Sequence, residues 1–310
     1  MITKLKIYES SSVNPYYNLA IEEYLLENVA SETCILYLWQ NENTVVIGRN
    51  QNPWKECKIS LLEEEGGHLA RRLSGGGAVF HDLGNLNFTF LMPQQDYDLD
   101  KQLTVIQEAV SRCGIPTERS GRNDVLAEGR KFSGNAFYKN GKQAYHHGTL
   151  LVHADQEKLG RYLSPSKAKL QSKGVDSVRS RVINLSELKP ETTVSVLKRY
   201  LAEAFADVYG IQAEKLQKED LDAAVISKVQ ARNESWEWNY GRKIPFSYVY
   251  EDRCEWGEVQ IHMQIEGGII QEAKVYSDAM DWEMAPWLEQ QLQGKRFSEE
   301  ELKKQLSVFK

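Results

Sequence analysis

The residues able to do chemistry in this 310-residue chain are concentrated in two stretches. The first, RRLSGGGAVFHDLGN (Arg71 to Asn85), sets two arginines before three successive glycines. Glycines let a backbone pass close to a ligand with its N–H groups presented, and guanidinium forks suit phosphate or carboxylate. The pattern describes an anion-binding turn, although a flexible loop with two solvated arginines fits the same residues. The second stretch, SGRNDVLAEGRKFSGNAF (Ser120 to Phe137), places Lys131 just after a Glu128-Gly129 turn between two β-rich runs. A lysine on a rigid strand offers a fixed positive charge to an anionic transition state, while an exposed hairpin lysine is the commoner fate. His81 follows the glycine cluster directly and is the better ligand contact among the histidines. His146 and His147 are adjacent on an expected strand, so at most one of them points at a given site. A structural role is the plainer reading for that pair.

The standard nucleotide and hydrolase signatures are missing. The chain has no GxxxxGK[ST], no GxGxxG opening a helix after a strand, no HExxH and no GxSxG. A nucleotide bound here is held by another architecture. Cys34, Cys57, Cys113 and Cys254 form no CxxC pair, which argues against a zinc site or a disulfide framework and fits a reducing cytoplasm.

These residues need elements to hold them. Asn14-Pro15 is a helix start, and Tyr17, Ala20, Ile21, Tyr24 and Leu25 follow helical spacing. Cys34 to Trp39 and Thr44 to Ile47 are short β-rich runs that read as a hairpin across Gln40 to Asn43. Leu103, Ile106, Val110 and Cys113 mark the face of a second helix ended by Gly114. Val194, Leu197, Leu201, Phe205 and Val208 mark a third, closed by Gly210. Between these two, Arg119 to Val152 alternates β-rich runs with glycine turns, so an α+β or mixed α/β domain is expected. Val259, Ile261, Met263 and Ile265 alternate with polar residues, Gly267-Gly268 turns the chain, and Ile269 to Tyr276 is the partner strand. Helices near Trp282 to Gln293 and Ser298 to Val308 complete a small α+β module. The spacing places a hinge around Trp238 to Pro245, giving domains of 1–244 and 245–310.

Composition narrows the class. Hydrophobic residues make up 41% and charged residues 26%, an ordinary globular balance. The net charge of −6 argues against a general nucleic-acid binder. The longest apolar run, Cys34 to Trp39, is too short for a membrane helix, and Met1 to Ser10 has no signal-peptide core. From Lys158 to Arg181, however, seven basic residues meet one acid, Asp176. That stretch can attract an acidic partner or be a solvated face.

In order and spacing, these stretches resemble the lipoate–protein ligases. The resemblance runs through NTVVIGRNQNPWKEC (Asn43 to Cys57), the glycine cluster and the Lys131 stretch. It continues through HHGTLLV (His146 to Val152), VDSVRSRVINLSEL (Val175 to Leu188) and NESWEWNYGRKIPF (Asn233 to Phe246), and so covers nearly the whole chain. It implies a biotin/lipoate ligase-like catalytic domain, a mixed sheet flanked by helices, with a small α+β C-terminal domain. It implies a two-step reaction in which lipoate and ATP, with Mg²⁺, give lipoyl-adenylate, and an acceptor lysine then takes the lipoyl group. The implied acceptors are the lipoyl domains of 2-oxoacid dehydrogenase complexes and the glycine cleavage H protein, the enzyme being a cytoplasmic monomer that binds neither nucleic acid nor membrane.

The resemblance also assigns residues. Arg72 matches the nucleotide-binding arginine, and Gly77, Ala78, Val79 and Phe80 the segment that wraps the adenylate. Lys131 matches the lysine that contacts both lipoate and the adenylate phosphate. Asn123 and Asp124 are expected on the nucleotide side, Asp124 near Mg²⁺. His81, His147, Trp39 and Val46 are expected along the lipoyl slot. The nearest rival is an octanoyl- or lipoyltransferase of the same fold, which needs a cysteine nucleophile, and Cys113 is the residue to consider. A biotin ligase is a weaker fit. A non-catalytic lipoyl-domain-binding protein needs a degraded site, against which Arg72, Gly75 to Gly77 and Lys131 speak.

Overall fold

The structure, a computed structural model, describes residues 1–120, 124–163, 182–241 and 247–309. Eleven strands precede the small C-terminal unit among these residues. They are β1 (Lys4–Glu9), β2 (Thr33–Trp39), β3 (Thr44–Ile47), β4 (His68–Arg71), β5 (Val79–His81), β6 (Asn85–Pro93), β7 (Glu118–Ser120), β8 (Asp124–Ala127), β9 (Arg130–Lys139), β10 (Gln143–Leu151) and β11 (Ala213–Lys215). Eight of them form one mixed sheet in the order β11-β1-β2-β6-β10-β9-β8-β7, with β1 parallel to both neighbours and the rest antiparallel.

Strand β2 is buried along its whole length because both sheet faces are covered. Cys34, Leu36 and Leu38 join one core with Phe88, Phe90 and the helices Leu99–Ser111 and Val194–Tyr209. Ile35, Tyr37 and Trp39 join the other, beneath helices Pro15–Glu27 and Ala223–Glu234. The Asn14 side chain caps helix Pro15–Glu27 as its sequence predicts. Its buried surface is wider than the predicted stripe, because the helix lies between the sheet and helix Ala223–Glu234. Tyr17 and Tyr24 are only half-buried, whereas Asn18, Glu22 and Glu23 are buried.

Strands β2 and β3 are not a hairpin, contrary to the sequence reading. Strand β3 is the centre of a separate three-stranded sheet, parallel to β4 and antiparallel to β5. Each run is apolar enough to need partners on both sides, so neither can serve as the other's edge. The buried side chain of Asn41, bonded to Asn18 and His81, turns the chain from one sheet to the other. The glycine-rich turn 72–78 joins β4 to β5 over the first sheet.

The predicted hairpin of the last part is present, preceded by a strand the sequence reading missed. Strands β12 (Tyr248–Cys254), β13 (Gly257–Glu266) and β14 (Ile269–Ser277) form an antiparallel sheet. Helices Met284–Leu292 and Glu299–Leu306 pack on it around a separate core. The expected hinge includes Trp238, at which the chain is helical from Trp236 to Tyr240, and positions 242–245, which lie outside the described residues. Most of the basic stretch 158–181 also lies outside them. Helix Leu99–Ser111 ends just before Cys113, which packs partly buried against the same core as the helix's apolar face. No helix among the described residues is long and apolar enough to cross a membrane.

Candidate active site

One cavity of about 180 Å³ gathers most of the residues singled out above. Strand β2 contributes Trp39, β3 Val46, β5 Val79 and His81, β9 Lys131 and β10 His147, while Arg72, Gly77 and Ala78 come from the turn. Phe80 does not line it. Its neighbour Val79 faces the cavity, so Phe80 faces the opposite way, into the core of the small sheet against Tyr162. Asp124 lies beside the cavity rather than in its wall, paired to Lys131 at 2.6 Å. Asn123 is outside the described residues.

Lys131 is held from both sides. Its backbone pairs with Leu126 of β8, next to a bulge, and bridges to Val182, whose neighbour Ile183 donates its N–H to the Lys131 carbonyl. The preceding turn needs positive φ at both Glu128 (49°) and Gly129 (72°), which fixes a tight hairpin. A side chain at Gly134 would crowd Lys131 Nζ, at 3.0 Å. The lysine is about one-third exposed and aimed at the cavity, with Asp124 as its counter-charge.

The two arginines differ from the sequence reading. Arg71 is 7% exposed, and its guanidinium donates to the carbonyls of Gly48, Arg49, Gln51, Trp238 and Asn239. It is a brace between the β3–β4 region and helix Trp236–Tyr240, and it does not line this cavity. Arg72 donates to Ser74 Oγ and to the carbonyls of Val46, Gly75 and Gly77. It therefore shapes the turn while its charge stands in the cavity wall. Burial lowers both, Arg72 to about 10 and Arg71 to about 9, so both stay cationic at neutral pH. The Gly76 N–H, read as free, donates to the carbonyl of Ala279 in the C-terminal unit, and Met280 beside it closes the cavity wall.

The inner wall is aromatic. Trp39 stacks on Tyr37 and meets His81 edge-on, and its Nε1 donates to Thr89 Oγ1 at 3.1 Å. His81 is pushed down to about 3, first by burial and then by the nearby Arg72 guanidinium, so its ring is neutral. Its Nδ1 meets Asn41 at 3.2 Å, while its buried Nε2 has no protein partner. His147 also lines the cavity, with Nδ1 on Glu22 and Nε2 on Ser74, both at 2.8 Å. His146 points to the other face, among Phe88, Phe90 and Phe137.

Sequence reasoning missed Ser74, Asn87, Thr89, Asn135, Thr149, Met280 and the buried Glu22. A signal existed for some of them. Asn85, Asn87 and Thr89 alternate with Leu86, Phe88 and Phe90 in β6, all buried, which puts a polar row on one face of a core strand. Glu22, inside an apolar helix, had none.

The arrangement brings an apolar, ring-bearing wall, a lysine and an arginine-braced glycine turn into one cavity. That suits an elongated acyl group ending in an anion. None of the four cysteines lines it. Cys113 is half-buried away from the cavity with its thiol pushed up by burial, the opposite of an activated nucleophile. Among the described residues no three His, Cys, Asp or Glu side chains gather as a metal site.

Comparison with known proteins agrees. Residues 14–206 match the lipoyl protein ligase A/B catalytic domain and residues 243–310 the bacterial lipoate protein ligase C-terminus. The chain is 40% identical over 308 residues to lipoate-protein ligase A of Psychrobacter cryohalolentis, covering 97% of this chain and 91% of that one. It is 42% identical over 301 residues to lipoate-protein ligase A of Bdellovibrio bacteriovorus, covering 95% and 89%. Its fold is similar to P. falciparum LipL1 in complex with lipoate, at a TM-score of 0.85 and 28% identity, covering 99% of this chain and 95% of that one. The mixed sheet flanked by helices, the small α+β unit after it and these matches along nearly the whole length lead to one conclusion: the chain belongs to the lipoate–protein ligase family.

Proposed function

We propose that this chain is an ATP-dependent lipoate–protein ligase. The carboxylate of lipoate attacks the α-phosphorus of ATP, releasing pyrophosphate and forming lipoyl-adenylate. An acceptor lysine amine then attacks the acyl carbonyl, forming the amide and releasing AMP. A carboxylate is a poor acyl donor at neutral pH, and adenylation gives it a leaving group. The observation that carries this reading is that Lys131, the Arg72 turn and the rings of Trp39, His81 and His147 line one cavity.

Each group has a task. Trp39, Val46, His81 and His147 wall the lipoyl slot. Arg72 holds the turn whose Gly77, Ala78 and Val79 wrap the adenylate, with Phe80 anchoring that segment from the core. Lys131 leaves Asp124 for the carboxylate and α-phosphate, offsetting charge as it develops. Asp124 and Asn123 stand on the nucleotide side. Mg²⁺ carried on ATP phosphates takes one or two protein carboxylates, and Asp124 fits that donor set, so the ion would supply further charge neutralisation there. We assign residues 1–244 to catalysis and 245–310 to an accessory domain. We read the enzyme as a cytoplasmic monomer acting on lipoyl domains of 2-oxoacid dehydrogenase complexes and on glycine cleavage H protein.

The test is pyrophosphate release from lipoate and ATP, with the mass of a lipoyl domain read in parallel. Wild type should release pyrophosphate and add a lipoyl group. Lys131→Ala should lose at least about a hundredfold in the first step, the scale of removing one transition-state donor. Lys131→Ala turning over at the wild-type rate would sink the assigned role.

A further inference from the structure

Two hydrogen-bond chains, one from Trp39 and one from Arg72, converge on a single carboxylate oxygen. From the lipoyl slot, Trp39 Nε1 donates to Thr89 Oγ1 at 3.1 Å, and Thr89 Oγ1 donates to Glu22 Oε1 at 2.7 Å. From the glycine turn, Arg72 Nε donates to Ser74 Oγ at 3.0 Å. Ser74 Oγ then meets His147 Nε2 at 2.8 Å, and His147 Nδ1 meets Glu22 Oε1 at 2.8 Å. Glu22 is 2% exposed and does not itself line the cavity.

We propose that Glu22 is a positioning residue that couples the lipoyl slot to the adenylate turn by fixing the direction of both chains. This inference rests on the ligase reading above. An indole N–H and a guanidinium N–H can only donate, and an ionised carboxylate can only accept. On this proposal, every hydroxyl and imidazole between them is polarised one way, toward Glu22. Thr89 accepts from Trp39 and gives its proton to Glu22. Ser74 accepts from Arg72 and gives its proton to His147 Nε2, so His147 carries its proton on Nδ1. Such a directed, buried network holds one arrangement of its members. Here the members are the indole that walls the acyl slot and the guanidinium that holds the carbonyls of Val46, Gly75 and Gly77. Neither end can shift without disturbing the oxygen that anchors the other.

The first test is kinetic, on the full chain, with pyrophosphate release as the readout. Glu22→Leu should raise the KM for lipoate and for ATP together, each by roughly tenfold or more, the scale of losing bonds to a buried charge. Glu22→Gln keeps an acceptor oxygen and should stay near wild type. Thr89→Val, which cuts only the Trp39 arm, should raise the KM for lipoate alone. Ser74→Ala, which cuts the Arg72 arm and loosens His147 less directly, should raise the KM for ATP more than the KM for lipoate. A folded Glu22→Leu that changes neither KM or only one, or a Glu22→Gln as damaged as Glu22→Leu, overturns the coupling. The second test is independent of activity and of whether Glu22→Leu folds: ¹⁵N chemical shifts of His147 in the wild-type protein. A proton on Nδ1 with Nε2 left as acceptor is expected, and any proton on Nε2 overturns the proposal. Wild type that releases no pyrophosphate would sink the ligase reading, while the tautomer would still decide the direction of the network.

Discussion

His81 and His146 are buried imidazoles that the fold holds neutral, both pushed down to about 3, chiefly by desolvation. In the unfolded chain each titrates near the ordinary value of about 6.5. Between these values the unfolded state binds more protons, so stability falls as the pH drops below about 6.5 toward 3. Each ring adds up to about 1.4 kcal/mol per pH unit to that slope. Urea denaturation from pH 7 to 4 should show wild type losing stability faster than His146→Gln. Parallel curves would mean that His146 is protonated in the folded state. The same residues show what a sequence can carry. Lys131 and the glycine turn were legible because strand-turn-strand spacing and glycine density are local. The division of labour between Arg71 and Arg72 was not, since the carbonyls that occupy Arg71 come from residues 48–51 and 238–239. Glu22 was hidden for a related reason, because its partners are 67 and 125 positions away.

At the scale of elements, the antiparallel run β7 to β10 and the helix ends at Asn14 and Gly210 were legible because caps, turns and alternation are written within a few residues. The β2–β3 pairing was misread because a strand buried on both faces has no alternation to reveal its sheet. The glycine turn shows a further limit. Its glycines suggested close approach to a ligand, yet a Cβ at Gly75 would overlap the backbone carbonyls of Ala279 and Met280. The requirement at Gly75 is thus docking of the segment after β14, secured by Gly76 N–H to Ala279 O and by the Asn50 carbonyl accepting from Ser277 N–H. Gly75→Ala should push that segment away, at a cost of about 1–3 kcal/mol for overpacking. Hydrogen exchange should rise across residues 277–282 and the midpoint of thermal unfolding should fall. Wild-type exchange there would show that the turn yields instead and that the docking does not select the glycine.

Over the whole molecule, the net charge of −6 is unevenly distributed. Positions 158–181 carry seven bases and one acid, a local +6. Two residues that flank most of these charges are placed. Leu163 bridges to Cys57, beside the small sheet, and Val182 bridges to Lys131 itself. Val182, which follows the positive stretch in the chain, is thus next to Lys131. Basic charges on an otherwise acidic chain attract an acidic macromolecule over a Debye length of about 8 Å at physiological salt, whereas a small apolar acid depends on short contacts. Reversing Lys167 and Lys173 together should raise the KM for a lipoyl-domain acceptor severalfold and leave the KM for lipoate unchanged. Salt should weaken acceptor use by wild type more steeply than by the reversed variant, because the variant has already lost the screened term. An acceptor KM that stays at the wild-type value, with the same salt slope, would mean that the stretch is a solvated face and that the acceptor finds Lys131 by contacts elsewhere.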